Sequence, residues 1–280
     1  MGKALKDKKL GFIGSGIMAE AIVSGVISKG LVDPQSICCS DPYAARCEEM
    51  EQRYGVRTTS SNKEAIKDSD LIVLSIKPQV LPEVSKALLG SFDSDQLLVS
   101  ILAGVDSKTL KKALGHHAVV RTMPNTPARV GEGMTVWTAT EDVTKEQRSM
   151  AQTLLAALGQ EVFVSREADL DMATALSGTG PAYVFLFMEA LVDAGVHMGF
   201  SRRVARQLVL QTVKGSVDFA LQSSDTHLAE LRNQVTSPGG TTADALYQME
   251  KGGLRTVLSK SVFAAFTKSR KLSNVISDQE

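Results

Sequence analysis

The stretch LGFIGSGIMAEA, residues 10–21, decides the architecture. Its first residues form an apolar run of strand length, Gly14-Ser15-Gly16 makes a turn, and Ile17 onward opens a helical pattern. Read as G-x-G-x-x-A, the segment has the form and context of a dinucleotide fingerprint. Gly14 permits the tight turn, Gly16 lets the backbone approach a pyrophosphate, and Ala19 keeps the helix close to the strand. The helix N-terminus then offers free amides to the phosphates. A glycine pattern alone is also an ordinary strand-to-helix turn. Its place after the first strand favours the dinucleotide.

Outward from this turn the same alternation continues to about Ser165. Strand candidates are KLGFIG, SICCS, LIVLSI, LLVSIL and AVVRTM, with helical patterns such as IMAEAIVSGVISKG and PYAARCEEMEQRYG between them. Such alternation predicts a parallel sheet with helices on its faces. MTVWTA and QEVFVS extend the sheet around a helix in KEQRSMAQTLLAALG. Beyond Arg166 strand signals stop and helical periodicity takes over, punctuated by Gly and Pro. The expected fold is therefore an α/β, Rossmann-type dinucleotide-binding domain over residues 1–165, followed by an all-α domain over 166–280. The segment YVFLFMEAL is apolar nearly all round, so its helix needs cover on more than one side. A second subunit is the natural cover, which predicts at least a homodimer.

Charge narrows the partners. Lys plus Arg and Asp plus Glu each number 31 in 280 residues, which argues against nucleic acid or an anionic membrane surface. Cys38, Cys39 and Cys47 lack metal-ligand spacing, so no metal is expected and they read as small side chains in a reducing compartment. The opening MGKALKDKKL has no apolar stretch of a secretory leader, and Lys6 stands where a myristoylation signal needs Ser or Thr. A cytoplasmic enzyme is expected.

Ligands of open α/β sheets bind beyond the strand C-termini. The candidate cofactor residues are therefore Ile13, Gly14, Ser15, Gly16, Ile17 and Met18 in the turn, and Asp41 and Asn62 near the second strand. Ser75, Ile76, Lys77 and Pro78 follow the strand at Leu74, Ile101, Leu102 and Ala103 follow that at Val99, and Asn125 lies in the stiff loop RTMPNTP. Asp41 stands where an acid would bond the adenosine ribose diol of NAD(H), yet an Asp-Pro turn initiator reads equally well. Against NAD(H), Ser40, Arg46, Asn62 and Lys63 together form a receiver for a 2′-phosphate, so NADPH or NADH stays open. Lys77 before Pro78 is either a cofactor contact or a solvated helix start. Asn125 and Thr126 are either a wall of the nicotinamide pocket or a rigid connector. The pair His116-His117 reads as a polar loop, and Asp225 and Glu230 as solvated residues.

The motifs GFIGSGIMAEAI, SIKPQ, MPNTPA, LSGTGPAYVF and VTSPGGTTADAL occur in this order, and with them the chain resembles the pyrroline-5-carboxylate reductases from Leu10 to about Leu272. TSPGGTT is the most specific of these. The resemblance implies NADPH- or NADH-dependent reduction of 1-pyrroline-5-carboxylate to L-proline, the last step of proline synthesis, and a helical domain forming an intertwined dimer that builds larger assemblies. Thr179 stands where a serine is common, which preserves the hydroxyl.

The loop VTSPGGTTADAL, residues 235–246, is rich in donors. Gly239 and Gly240 present amides without side-chain shielding, and Thr241 with Asp244 has the spacing of a helix-capping pair. A substrate carboxylate at that N-terminus gains about 0.3–1 kcal/mol from the helix dipole alone. By resemblance, Ser237 bonds the carboxylate and Thr242 the ring nitrogen, making Ser237, Gly239, Gly240, Thr241 and Thr242 the substrate site and Thr242 and Ser237 its catalytic members. Hydride transfer to an iminium needs little acid–base machinery; the task is to hold reacting atoms about 3–3.5 Å apart. A 3-hydroxyacid dehydrogenase is the rival enzyme, but it needs a lysine in the first long helix of its second domain, and none lies between Ser177 and Leu191. A regulator that senses nicotinamide redox state is the non-enzymatic alternative.

Overall fold

The computed structural model describes residues 2–278, with side chains over 4–271. Two compact units divide the chain: residues up to Thr179 together with those from Ala265 onward, and Gly180–Ala264.

The first unit is built on one eight-stranded sheet. Its strands are β1 (Leu10–Ile13), β2 (Ile37–Ser40), β3 (Arg57–Thr59), β4 (Leu71–Leu74), β5 (Leu97–Ser100), β6 (Val119–Met123), β7 (Gly133–Ala139) and β8 (Gly159–Phe163). They lie in the order β3-β2-β1-β4-β5-β6-β7-β8. Pairing is parallel through β6; β7 runs antiparallel to β6, and β8 parallel to β7. The expected strands are all present, and β3 is an addition. With three residues and a half-exposed burial pattern, β3 carries too little apolar signal to be read locally.

Every residue of β1, β2, β4 and β5 is buried, as in a parallel sheet covered on both faces. Alternate side chains point to opposite faces. Phe12, Val73, Val99, Val120 and Trp137 meet α1 (Ile17–Ser28) and α6 (Lys145–Ala156) through Ile22, Val26, Leu154 and Leu155. Ile13, Ile72, Leu74, Leu98 and Val119 meet α4 (Leu81–Leu88) and α5 (Ser107–Leu114) through Leu81, Val84, Leu110 and Leu114. Between these lie α2 (Ala44–Tyr54) and α3 (Asn62–Ile66). Thr144 and Gln147 form a reciprocal capping box at the start of α6. Because β1 is flanked by β2 and β4, the chain changes direction there, and a ligand crevice opens beyond the strand ends at such a point.

After β8, α7 (Asp169–Ala173) runs into one π-helical turn over Thr174–Gly178. Thr179 closes that turn, donating from both its amide (2.8 Å) and its hydroxyl (2.9 Å) to the Thr174 carbonyl. The later half of α12 (Leu254–Asp278) is tied to α7 by Ser269 Oγ donating to Asp171 at 2.7 Å.

The second unit comprises α8 (Gly180–His197), α9 (Arg202–Gln222), α10 (Leu228–Gln234), α11 (Thr241–Lys251) and the first half of α12. On α8 only Val192 and Gly195 are buried, while Phe185 and Leu186 are 62% and 67% exposed. The apolar helix thus lacks, within one chain, the cover its sequence calls for.

His116 departs from expectation. It is buried rather than a polar loop residue, its Nε2 donating to the Gln96 carbonyl at 2.9 Å and its ring stacked on Phe92; its neighbour His117 is exposed. Burial pushes the His116 imidazole below its ordinary 6.5. Below about pH 6.5 the unfolded chain therefore binds a proton that the folded chain refuses, and stability falls as pH drops from 6.5 toward the folded value. His116→Gln is expected to flatten this slope by at most about 1.4 kcal/mol per pH unit. Urea denaturation between pH 7.5 and 5 reads it, and equal slopes in both proteins would assign the acid sensitivity to another group.

Candidate active site

The cofactor turn follows directly from the β1 register. Gly14 takes φ +88°, a left-handed conformation that L side chains resist, and its amide donates to the Ser40 carbonyl at 2.9 Å. Ser75 holds the turn from the other side, its Oγ lying 2.7 Å from the Gly14 carbonyl and 3.1 Å from that of Ile13. Gly16 caps α1 with extended backbone and no side-chain bond. A Cβ built on Gly16 would meet nothing within 4 Å. The protein itself gives no steric reason for a glycine there, and a pyrophosphate does. Ala19 is fully buried under α1, as close helix–sheet packing requires. Ile17 is 60% exposed at the mouth of the turn, with half-buried Met18 beside it.

Asp41 ends β2 and performs two tasks at once. Its Oδ1 accepts the Tyr43 amide at 3.1 Å, forming the Asp-Pro turn, and its Oδ2 accepts the Ser15 amide at 3.0 Å. Each oxygen keeps a further lone pair, sufficient for a ribose diol. The group proposed to receive a 2′-phosphate is largely occupied. Ser40 is buried, its Oγ lying 3.0 Å from the Phe12 carbonyl and 2.6 Å from Asn62 Oδ1. Arg46 donates from Nε to the Ser15 carbonyl at 2.6 Å and from its two other nitrogens to Glu20 and Glu49. Lys63 is exposed.

The remaining strand-end segments gather on the same edge. Ile76 packs beside Gly14, Lys77 is exposed, and Pro78 starts a short 3-10 turn. After β5, Leu102 is buried, with half-buried Ile101 and Ala103 beside it. Asn125 is half-buried and both ends of its amide are used: Nδ2 donates to the Ser177 carbonyl at 3.1 Å, and Oδ1 accepts the Met134 amide at 2.9 Å. Its side chain works as a clamp on the π turn, and its carbonyl accepts the Ala128 amide at 3.1 Å. The Cys39 thiol is pushed up to about 12 by burial, which makes it inert.

The candidate substrate loop belongs to the second unit. Pro238 and Gly239, the latter at φ +69°, form a turn closed by Gly240 N–H donating to the Ser237 carbonyl at 3.1 Å. Here one expectation is corrected. The residue capping α11 is Gly240, with no side-chain cap bond, so Thr241 and Thr242 are the first two helical residues and Thr241 does not pair with Asp244 as a cap. Gly240 takes the position because its extended backbone follows the Pro-Gly turn directly. The consequence is chemical: no hydrogen bond among the described residues occupies the Thr241 and Thr242 amides, or the hydroxyls of Ser237, Thr241 and Thr242. Thr236, one residue before them, donates to the Arg232 carbonyl at 2.8 Å. Unoccupied amides at a helix start, with unbonded hydroxyls beside them, are a donor set of the kind that suits an anion. Asp225 and Glu230 are exposed, as expected.

Signals for Arg46, Glu20 and Ser75 as supports of the turn were missed at the sequence level, because each acts across more than 20 residues.

Comparison with known proteins matches the features just described. Residues 167–272 match the family model for pyrroline-5-carboxylate reductase dimerisation, and residues 9–104 that for NADP oxidoreductase, coenzyme F420-dependent. The pyrroline-5-carboxylate reductase of Synechocystis is 40% identical over 264 residues, covering 94% of this chain and 98% of the relative. The crystal structure of Plasmodium falciparum pyrroline carboxylate reductase with NADP bound superimposes with a TM-score of 0.87 at 33% identity, covering 96% and 99%. That of the Coxiella burnetii pyrroline-5-carboxylate reductase gives 0.86 at 37%, covering 95% and 98%. Likeness of this degree, running through the sheet and the helices alike, means that the chain belongs to the pyrroline-5-carboxylate reductase family.

Proposed function

We propose a division of labour for the family reaction, the NAD(P)H-dependent reduction of 1-pyrroline-5-carboxylate to L-proline that ends proline biosynthesis: the glycine turn holds the cofactor and the start of α11 holds the substrate. The reading rests on the unoccupied amides and hydroxyls at Ser237, Thr241 and Thr242. The ring acid carries one carboxylate and one imine nitrogen, which calls for such a donor set. The Thr241 and Thr242 amides and the Ser237 hydroxyl bind the carboxylate; Gly239 and Gly240 leave room for it. The Thr242 hydroxyl bonds the ring nitrogen, orienting the C=N bond and accepting a hydrogen bond from the protonated imine.

For the cofactor, Gly14, Ser15, Gly16, Ile17 and Met18 hold the pyrophosphate at α1, and Asp41 the ribose, with Asn62 beside it. The segments 75–78 and 101–103 and the backbone of Asn125 line the remaining wall. When bound, the dihydronicotinamide supplies a hydride to the imine carbon. The electron pair of the C=N bond passes to nitrogen, whose positive charge is neutralised, leaving a secondary amine. No protein base is needed.

We divide the chain for function at 165/166, because β8 ends at Phe163 and the dimerisation match begins at 167. The compact units break later because α7 packs against β6 and β7. One described helical run, Asp169–His197, is long and apolar enough to cross a bilayer. We assign it to a subunit interface, since the dimerisation match covers it, and infer a homodimer as the building block of any larger assembly. Three unpaired cysteines suit the reducing cytosol.

Mixing protein, pyrroline-5-carboxylate and NADPH or NADH while following absorbance at 340 nm tests the reading. Cofactor binding without substrate-dependent oxidation would overturn it. In the same assay Asp41→Ser is expected to raise the NADPH-to-NADH ratio of kcat/KM about tenfold, since a carboxylate facing a phosphate costs about 1–4 kcal/mol at 4 Å. Equal ratios would leave Asp41 as a turn residue only.

A further inference from the structure

We propose that Glu20 is a specificity-determining residue: by holding Arg46 it withholds the one well-placed guanidinium from an adenosine 2′-phosphate and disposes the site toward NADH. The proposal rests on the glycine turn being the cofactor site.

Glu20 lies in the first turn of α1, four residues past Gly16 and just beyond the G-x-G-x-x-A positions. Its carboxylate is the hub of a cluster. Oε2 accepts from Arg46 at 2.6 Å; Oε1 accepts from the Tyr54 hydroxyl at 2.8 Å and from Arg53. The Glu20 and Arg46 side chains are only 18% and 20% exposed, so this pair is less screened than a surface bridge. Burial pushes the Glu20 carboxyl up, but Arg46, Tyr54 and Arg53 more than offset it, and it stays below the usual carboxylate value.

Arg46 is linked to the proposed ribose position through one residue: its Nε bonds the Ser15 carbonyl while the Ser15 amide bonds Asp41. A free guanidinium there is the preferred group for a phosphate, which it meets with paired N–H donors. Here each of its three nitrogens already makes a bond, which uses three of its five N–H groups and fixes the plane of the fork on the carboxylates. The carboxylates of Glu20, Glu49 and Asp41 outnumber the two guanidinium groups of the cluster. A phosphate arriving at this place meets an excess of like charge and a cation already bound. A neutral ribose diol meets neither obstacle.

Glu20→Gln keeps the shape and removes the charge that holds Arg46. The expected result is a rise of about tenfold in the NADPH-to-NADH ratio of kcat/KM. Adenosine 2′,5′-bisphosphate should become a competitive inhibitor about tenfold tighter, with a smaller change for AMP. Adding Arg46→Leu to Glu20→Gln should return both values toward the parent, which a general loosening of the fold would not do. If Glu20→Gln is too unstable to assay, Glu49→Gln removes an exposed partner of the same guanidinium and should move the ratio in the same direction by less. A ratio within twofold of the parent in these variants overturns the proposal, provided Gly16→Val weakens both cofactors. If Gly16→Val leaves both bound as before, the cofactor-site reading itself fails and the proposal falls with it.

Discussion

Thr242→Ala is expected to lower kcat/KM for pyrroline-5-carboxylate about 100-fold while the KM for cofactor changes less than twofold. The size follows from one hydrogen bond to a charged group, about 1.5–3 kcal/mol, or roughly 10- to 150-fold in rate. Thr242 is the second residue of α11, where backbone geometry sends its amide toward the helix mouth and no internal acceptor claims its hydroxyl. The hydroxyl can therefore serve the ring nitrogen without first breaking a protein bond. Thr242→Ser keeps the oxygen and should retain most activity, whereas Thr242→Val keeps the shape and should match alanine. Steady-state kinetics with both substrates varied separate the cases. A valine variant as fast as the parent would remove Thr242 from the reaction.

Gly16→Val is expected to weaken cofactor binding about 100-fold and to leave the melting temperature close to that of the parent. Gly14 offers no such separation, because its φ of +88° and the Ser75 carbonyl 3.0 Å from a built Cβ make any substitution a folding lesion. At Gly16 the backbone is extended, φ −67° and ψ −175°, and a built Cβ meets open space. Valine is a poorer helix cap by about 1 kcal/mol, yet its branches would occupy the place proposed for the pyrophosphate against the α1 amides. Fluorescence titration with each cofactor and a thermal melt measure the two effects. Retained affinity would show that the dinucleotide lies elsewhere; a large loss of stability would show that Gly16 is structural.

Most of the fold is legible along the chain. β1, β2, β4, β5 and β6 announce themselves as short apolar runs between turn residues, and the switch to helical period past Arg166 agrees with the last strand ending at Phe163. The short edge strand β3 escaped because three half-exposed residues carry no period. The candidate site was legible as a set of loops but less so as individual partners. Gly14, Gly16 and the Ser237–Thr242 loop stood out by composition. Asn125 stood out as a loop residue, and only the fold shows that both ends of its side chain serve the protein. His116 looked solvated, yet Phe92 and Gln96, more than 15 residues away, bury it. Arg46 looked available, yet Glu20 occupies it from 26 residues upstream.

By itself the sequence determined the strand–turn–helix beginning, the order of strands and helices, and the donor-rich loop at residues 235–246, because periodicity and turn chemistry are properties of neighbours in the chain. Tertiary structure alone decided which donors and carboxylates remain free: that Asp41 anchors Ser15, and that Arg46 is held by Glu20. The physical reason is that a polar group's availability depends on what lies within about 3 Å of it, and in a folded chain those neighbours come from distant segments.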